Sequence, residues 1–278
     1  MISIPMRRYG AAILMLLTCI FSGSVLATTH TATKSHKASV VKKVKKPSSI
    51  KVSSKQEYSR NSVKSSSLPD LRKYPSGTPR KKAFLRTVMP YITSQNAAIT
   101  AERNWLISKQ YQGQWSPAER ARLKDIAKRY KVKWSGNTRK IPWNTLLERV
   151  DIIPTSMVAT MAAAESGWGT SKLARNNNNL FGMKCMKGRC TNAPGKVKGY
   201  SQFSSVKESV SAYVTNLNTH PAYSSFRKSR AQLRKADQEV TATAMIHKLK
   251  GYSTKGKSYN NYLFAMYQDN QRLIAAHM

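Results

Sequence analysis

The chain is poor in acidic residues and in cysteine. It has 12 Asp and Glu against 48 Lys and Arg over 278 residues, a formal net charge of +36, and only 3 Cys. Such an excess of positive charge favours anionic partners such as nucleic acid, lipid surfaces or cell-wall polymers. Heptads and internal repeats are absent, so nothing indicates a coiled-coil assembly or a repeat protein, and we expect a monomer.

The first 27 residues have the three parts of a secretory signal. Arg7 and Arg8 provide a positive start, residues 11–21 are apolar, and Val25-Leu26-Ala27 forms a small-residue exit. The apolar stretch is short for a transmembrane helix. The pattern predicts a signal peptide over residues 1–27, with a retained anchor as the alternative.

Residues 28–79 are rich in Ser, Thr and Lys and contain only two acids, Glu57 and Asp70. A segment of this composition cannot bury enough apolar surface to offset the entropy of ordering, so it predicts a basic disordered linker. In an exported protein such a linker is expected to meet an anionic membrane surface, lipopolysaccharide or cell-wall polymer and not nucleic acid. A plain spacer is the alternative.

Two cysteines, Cys185 and Cys190, lie beyond the signal sequence. A C-x4-C pair without further ligands is a poor zinc site, and in an exported protein it indicates a small structural disulfide loop, with two free thiols as the alternative. His220, His247 and His277 share no spacing with a carboxylate or thiol, so we expect neither a metal nor a cofactor. The signal, the charge and the cysteine pair together indicate a periplasmic protein.

Residues 80–278 suffice for one domain with its own core. Helical spacing of apolar residues predicts a helix over Lys82–Thr93, which Pro90 should kink or restart, and Ser116 opens a capping-box start of another helix. Residues 192–203 predict a β-hairpin that turns at Pro194-Gly195. The fold class expected is α+β, mainly α.

One carboxylate stands out. Glu165 ends a small-residue helical run, close to Trp168, and shares a helical face with Met157 and Met161. Poor solvation on an apolar face favours the protonated carboxyl and raises its pKa toward the range of a general acid. The alternative is a structural Glu bonded to the amides of the following Asn-rich loop.

The string around Glu165 resembles the motif of bacterial endo-β-N-acetylglucosaminidases, the family 73 glycoside hydrolases that include flagellar-type muralytic enzymes. That motif reads A-x-x-E-S-G-W-G-x-S-x-L-A, followed by N-N-L-F-G-x-K, which ends here at Lys184. Further similar blocks are residues 200–209, 220–223 and 251–259. The resemblance implies a lysozyme-like helical domain with a small β-hairpin lobe, which cleaves the β-1,4 bond after N-acetylglucosamine in peptidoglycan.

The resemblance also implies roles for residues. Glu165 is expected to be the general acid, and Tyr252 is expected to orient the substrate's acetamido group, with sugar stacking or a core position as the alternative. Residues expected to bind the glycan are Trp168, Asn179, Phe181, Tyr200, Phe203 and Tyr259.

A second catalytic carboxylate is missing from its expected place. No other Asp or Glu occurs between Glu165 and Lys207, and Ala212 stands where some family members carry Asp. Glu208 is expected to cap a helix. The attacking group is then the substrate's acetamido oxygen or water. A lytic transglycosylase and a catalytically weak cell-wall-binding protein are the alternative functions.

Overall fold

A computed structural model describes residues 67–185, 190, 193–250, 252 and 256–278. The predicted signal peptide and most of the predicted linker lie outside these residues. The described part of the chain is mainly helical, as predicted, and is consistent with a lysozyme-like domain. Its α-helices are α1 Thr78–Lys109, α2 Pro117–Arg129, α3 Trp143–Arg149, α4 Thr155–Ser166, α5 Lys172–Asn177, α6 Val206–Thr219, α7 Ser224–Lys235, α8 Ala242–Met245 and α9 Lys257–Ala275.

Helix α4 lies at the centre of the core. Nearly all of its side chains from Met157 to Ala163 are buried, because the helix is apolar around most of its circumference. Its alanines let α1 and α9 pack closely against it, while Met157 and Met161 fill the remaining space. Shortening Met161 to alanine would cost about 2–5 kcal/mol. The helix that ends in Glu165 is therefore held rigidly.

Helix α1 is longer than predicted and runs through Pro90 without restarting. Buried residues on both sides of the proline, including Val88 and Ile92, continue one apolar face. We infer that their packing outweighs the loss of one backbone hydrogen bond.

The folded domain also begins before residue 80, which corrects the predicted linker boundary. Leu68 and Leu71 are buried, and Asp70 caps the 3₁₀ turn that starts at Leu71. These leucines pack against Gly169, where a Cβ atom would lie 2.6 Å from Leu71 Cδ1. Apolar contact thus orders residues that composition assigned to the linker.

Two predicted helix starts are confirmed. Ser116 and Glu119 form a reciprocal capping box at α2. At α6, Ser205 accepts a hydrogen bond from the backbone of Glu208, whose carboxylate accepts one from Ser204 N at 2.7 Å. Glu208 therefore serves as part of a helix cap, as expected. Helix α7 was not predicted, because its charged residues obscure the buried face that holds Phe226.

The predicted β-hairpin is not shown. The described residues in this region make two isolated antiparallel bridges, Lys184 with Tyr200 and Cys190 with Ser201. A turn does close at Pro194-Gly195, where Lys196 N donates to Ala193 O. The bridges are too few to form a ladder, and residues 191–192 lie outside the described part. In the described residues, no helix is both long and apolar enough to cross a membrane.

Candidate active site

A cavity of about 570 Å³ opens beside the end of α4. Its walls come from α4, from the loop after α5, from α6 and the turn that follows it, and from the start of α9. The lining residues are Glu165, Phe181, Gly182, Met183, Lys184, Cys185, Tyr213, Asn216, His220, Tyr223, Tyr252 and Tyr259. Segments far apart in the sequence thus enclose one carboxyl group.

The sharp end of α4 places Glu165 at the cavity. Ser166 Oγ donates to Ala162 O at 2.6 Å and accepts from Gly169 N at 2.8 Å, which closes the last turn. Gly167, Trp168 and Gly169 all have positive φ, between 55° and 77°. This left-handed backbone favours glycine and is strained at Trp168. The G-W-G pattern therefore turns the chain away immediately after the carboxylate.

Burial and one hydroxyl determine the environment of Glu165. Tyr259 donates a hydrogen bond from its hydroxyl to Glu165 Oε1. Burial raises the pKa of the Glu165 carboxyl above its ordinary value, and the Tyr259 hydrogen bond opposes this only in part. Gly182 faces the other oxygen, since a Cβ atom there would lie 3.4 Å from Glu165 Oε2. The result is a partly buried carboxyl whose pKa is raised and which still reaches the cavity.

Aromatic rings form much of the cavity wall. Tyr252 stacks on Tyr259 with ring centroids 5.7 Å apart, and Phe181 stacks on Tyr213 at 3.9 Å. Tyr223 lies 6.2 Å from Tyr252. Burial raises the pKa of Tyr252 and of Tyr259, so both hydroxyls stay protonated and can donate hydrogen bonds. Flat rings with polar ends suit a sugar ring and its substituents.

Tyr252 and Tyr259 differ in how they are placed relative to Glu165. Both line the cavity, but Tyr259 contacts Glu165 directly, whereas Tyr252 stacks on the ring of Tyr259. Tyr259, expected to bind the glycan, is thus the closer of the two to Glu165. Sequence spacing alone does not show which of the two tyrosines contacts Glu165, because Tyr252 lies in a loop and Tyr259 lies in helix α9.

The Asn-rich loop is held together by its own side chains. Asn179 is buried, donates to Met183 O at 2.8 Å and to Ser201 O at 3.0 Å, and accepts from Met183 N at 3.0 Å. These bonds use the Asn179 amide to shape the loop, so it does not face the cavity as a glycan-binding residue. Phe181, on the same loop, does line the cavity.

Lys184 and Tyr200 form a pair at the edge of the cavity. Lys184 Nζ donates to the Tyr200 hydroxyl at 2.9 Å and lies 4.1 Å from the centre of its ring. Tyr200 therefore supports the lysine and is not itself part of the lining. Next to Lys184, the predicted disulfide between Cys185 and Cys190 is present.

Two other residues expected to bind glycan lie away from the cavity. Trp168 packs edge-on against Phe84, with centroids 5.6 Å apart, and Lys81 lies over its indole ring. Phe203 is buried in the core, 1% exposed. Both are large apolar side chains. They pack against the core, where more of their surface is buried than at the cavity wall.

Sequence reasoning missed several lining residues. Asn216 and Tyr213 lie on the cavity face of α6, and His220 follows its last turn. His220 Nδ1 accepts a hydrogen bond from Ala222 N at 3.2 Å. Tyr213 lies in the sequence among Val210, Val214 and Leu217 at helical spacing, a pattern typical of ordinary core packing. The family-like block at residues 220–223 was the one available signal for this wall.

Glu165 is the only carboxylic acid among the described residues that line the cavity. The neighbouring residues outside the described part, 186–189, 191–192, 251 and 253–255, contain no Asp or Glu either. Within the described ranges, no three His, Cys, Asp or Glu side chains come together as a metal site would require. The described part of the site therefore presents one carboxyl group with a raised pKa, tyrosine hydroxyls, an amide, a histidine and a lysine.

Comparison with known proteins gives two matches. Residues 142–272 match the Glucosaminidase family, described as mannosyl-glycoprotein endo-beta-N-acetylglucosaminidase. The whole chain is 91% identical over 278 residues to "Protein bax" of Escherichia coli (strain K12), with 100% of both chains covered. No solved structure matches the chain. The family match includes Glu165 and every residue that lines the cavity.

Proposed function

Because this chain belongs to the glucosaminidase family, a family of glycoside hydrolases, we propose that it hydrolyses peptidoglycan. The bond cleaved is the β-1,4 linkage after N-acetylglucosamine, and Glu165 is the general acid. One observation supports this above all: a partly buried carboxyl with a raised pKa lies on a cavity large enough for sugar rings.

Glu165 donates its proton to the glycosidic oxygen as the bond to the anomeric carbon breaks. The raised pKa keeps the proton on the carboxyl at pH values where an ordinary glutamate has lost it. The Tyr259 hydroxyl, bonded to Oε1, stabilises the carboxylate left behind. The same hydrogen bond fixes the rotamer of the acid, so its proton is aimed consistently.

No second acid lines the cavity among the described residues, which favours attack by the substrate's own acetamido oxygen. That oxygen bonds to the anomeric carbon as the leaving sugar departs with the proton from Glu165. Water then opens the resulting ring, and the Glu165 carboxylate takes up the water's proton. Tyr252, which stacks beside Tyr259, is placed to orient the acetamido group. Direct attack by water is the other route.

Export to the periplasm belongs to the same proposal. The signal-like residues 1–27, which lie outside the described part of the chain, would direct it there, and the Cys185–Cys190 disulfide suits an oxidising compartment. Peptidoglycan carries carboxylates, so a chain with net charge +36 would be attracted to it at low ionic strength. The basic segment before residue 67 would add contact with anionic surfaces.

A single acid on the cavity also fits a lytic transglycosylase, which would be the second candidate. The two reactions leave different ends: hydrolysis after N-acetylglucosamine leaves that sugar reducing, whereas a transglycosylase leaves an anhydro end. Mass spectrometry of fragments released from purified peptidoglycan, after borohydride reduction, distinguishes them. We expect reduced N-acetylglucosamine ends.

The decisive variant is Glu165→Gln, which keeps the shape of the side chain and removes the acid. We expect the rate of fragment release to fall about a hundredfold to ten-thousandfold. Asp269→Asn is the matched control, because Asp269 is exposed on α9 and does not line the cavity. If the wild-type protein and Glu165→Gln are equally inert while both bind peptidoglycan, the chain is a wall-binding protein and the enzymatic proposal is wrong.

A further inference from the structure

Lys184 is the motif residue that the proposed reaction leaves without a role. It lines the same cavity as Glu165 and is exposed. No ion pair to Lys184 occurs among the described residues. A cation with no protein carboxylate beside it is available to an anionic group from outside.

The backbone around Lys184 is held on both sides. Cys185 N donates to Gly199 O at 3.1 Å, and Ser201 N donates to Met183 O at 3.0 Å. Ser201 Oγ also donates to Lys184 O at 2.8 Å. These bonds join the lysine's segment to the segment that carries Tyr200, so the two side chains cannot move independently.

The side chain of Lys184 is positioned as well. Its ammonium group lies against the Tyr200 ring and hydrogen-bonds the ring's hydroxyl, which together restrain an otherwise flexible chain. Neither contact neutralises the charge, because the tyrosine is uncharged. An ammonium has three donors, and two remain after the bond to Tyr200. A fixed, un-neutralised cation on a cavity wall is a built site for a carboxylate.

We infer that Lys184 binds a carboxylate of the stem peptide attached to the sugar next to the cleaved bond. This inference rests on the proposed function. In the intact polymer the lactyl carboxyl is joined in an amide to the stem peptide, so the nearby negative charge is on the peptide. Lys184 thus makes the site prefer peptide-bearing strands over neutral glycans of the same sugar sequence.

The test compares native peptidoglycan with peptidoglycan whose carboxyl groups have been converted to neutral amides. On the native polymer we expect Lys184→Met to lower kcat/KM about tenfold, mainly through KM, as for loss of one charge-assisted hydrogen bond. On the amidated polymer the wild type and Lys184→Met should be equal. Lys184→Arg should keep most of the native activity, since it keeps the charge.

Lys124→Met is the control for general charge loss. Lys124 is exposed on α2, which contributes nothing to the cavity lining, so we expect less than about a twofold effect on either polymer. The inference is wrong if Lys184→Met loses equal activity on both polymers, which indicates a structural role, or loses none on the native one.

Failure of the proposed function would give a different result from failure of the inference about Lys184. If the wild type releases nothing from either polymer, the hydrolase proposal fails, and binding then tests Lys184. Binding of Glu165→Gln and of Glu165→Gln/Lys184→Met to the two polymers can be compared by co-sedimentation. The double variant should bind the native polymer about tenfold more weakly than Glu165→Gln does. On the amidated polymer the two proteins should bind equally. Equal binding of the two proteins to native polymer would overturn the inference.

Discussion

A carboxyl group lies near each end of helix α4, and the two groups have opposite electrostatic surroundings. Asp151, just before the helix, is 1% exposed and lies within 3.0–3.7 Å of Arg103, Arg230 and Arg234. Glu165, in the last turn, has no cation beside it among the described residues and accepts a hydrogen bond from a neutral tyrosine. One carboxyl is surrounded by compensating charge, and the other is not.

The arginines around Asp151 hold a turn of the backbone. Arg230 donates to the carbonyls of Glu148, Asp151 and Ile152, and Arg103 donates to Val150 O. Asp151 offsets the charge that these donors bring into the interior. Such a group stabilises the fold.

Glu165 shows what the absence of a compensating cation achieves. Without one, burial makes the charged form costly and raises the pKa of the Glu165 carboxyl. Burial alone therefore does not decide what a carboxyl group does in this protein. The charge of the neighbours decides whether a buried carboxyl is compensated, as at Asp151, or has its pKa raised, as at Glu165.

The largest stability effect should come from Asp151→Asn. The variant leaves buried arginines without their counter-ion, and we expect the free energy of unfolding to fall by about 3–5 kcal/mol. Denaturant unfolding followed by circular dichroism measures it. Asp125→Asn, which removes an exposed carboxylate paired with Arg129, should cost less than about 1 kcal/mol. Equal effects from the two variants would show that the arginine cluster does not depend on Asp151.

A second experiment tests the neutral partner of Glu165. Tyr259→Phe removes the hydrogen bond that favours the carboxylate, so the pKa of Glu165 should rise further and the fall in activity at high pH should move to higher pH. We expect kcat to fall about tenfold, because the acid loses its orientation and its conjugate base loses a donor.

Tyr262→Phe is the matched control, since Tyr262 is exposed on the same helix and does not line the cavity. Its pH–activity profile on peptidoglycan should match that of the wild type. A profile for Tyr259→Phe that moves toward lower pH would mean that the hydroxyl does not stabilise the charged form of Glu165.

The smallest effect is one of stability at Glu165. Since the pKa of Glu165 is raised in the folded state, the native protein binds this proton more tightly than the unfolded chain, and stability falls as pH rises from the ordinary value of 4.5 through the raised pKa. Glu165→Gln removes this loss of stability with rising pH. Its Tm should therefore exceed that of the wild type by about 1–3 °C near neutral pH.

The same pair should have nearly equal Tm values near the low-pH end, where Glu165 is protonated in both states. Thermal unfolding followed across about pH 4 to 8 provides the measurement. A lower Tm for Glu165→Gln at neutral pH would mean that the charged form is stabilised after all, and the contrast with Asp151 would disappear.

Much of this site was predictable because its signals are local. Glu165 on an apolar stripe, the glycines after it and the capping residues Ser116 and Glu208 act within one or two helical turns, where spacing determines contact. The cysteine pair is equally local, and the structure contains the disulfide.

The positions of other residues could not be predicted, because they depend on distant partners. Trp168 and Phe203 look like sugar-binding aromatics in a motif, but each packs into the core against residues from elsewhere in the chain. Asn216 and His220 carry no motif that points to a cavity, and only the approach of α6 to the loop after α5 makes them part of it.

The sequence by itself determined the helical class and the family and singled out Glu165 as the candidate acid, since each depends on residue types at short, regular spacing. Tertiary structure alone decided which tyrosine touches Glu165, which lysine faces the cavity without a counter-ion, and which carboxyl has arginines around it. The physical reason is that electrostatic environment depends on distances between side chains in space, and packing of α1, α4, α6 and α9 sets those distances.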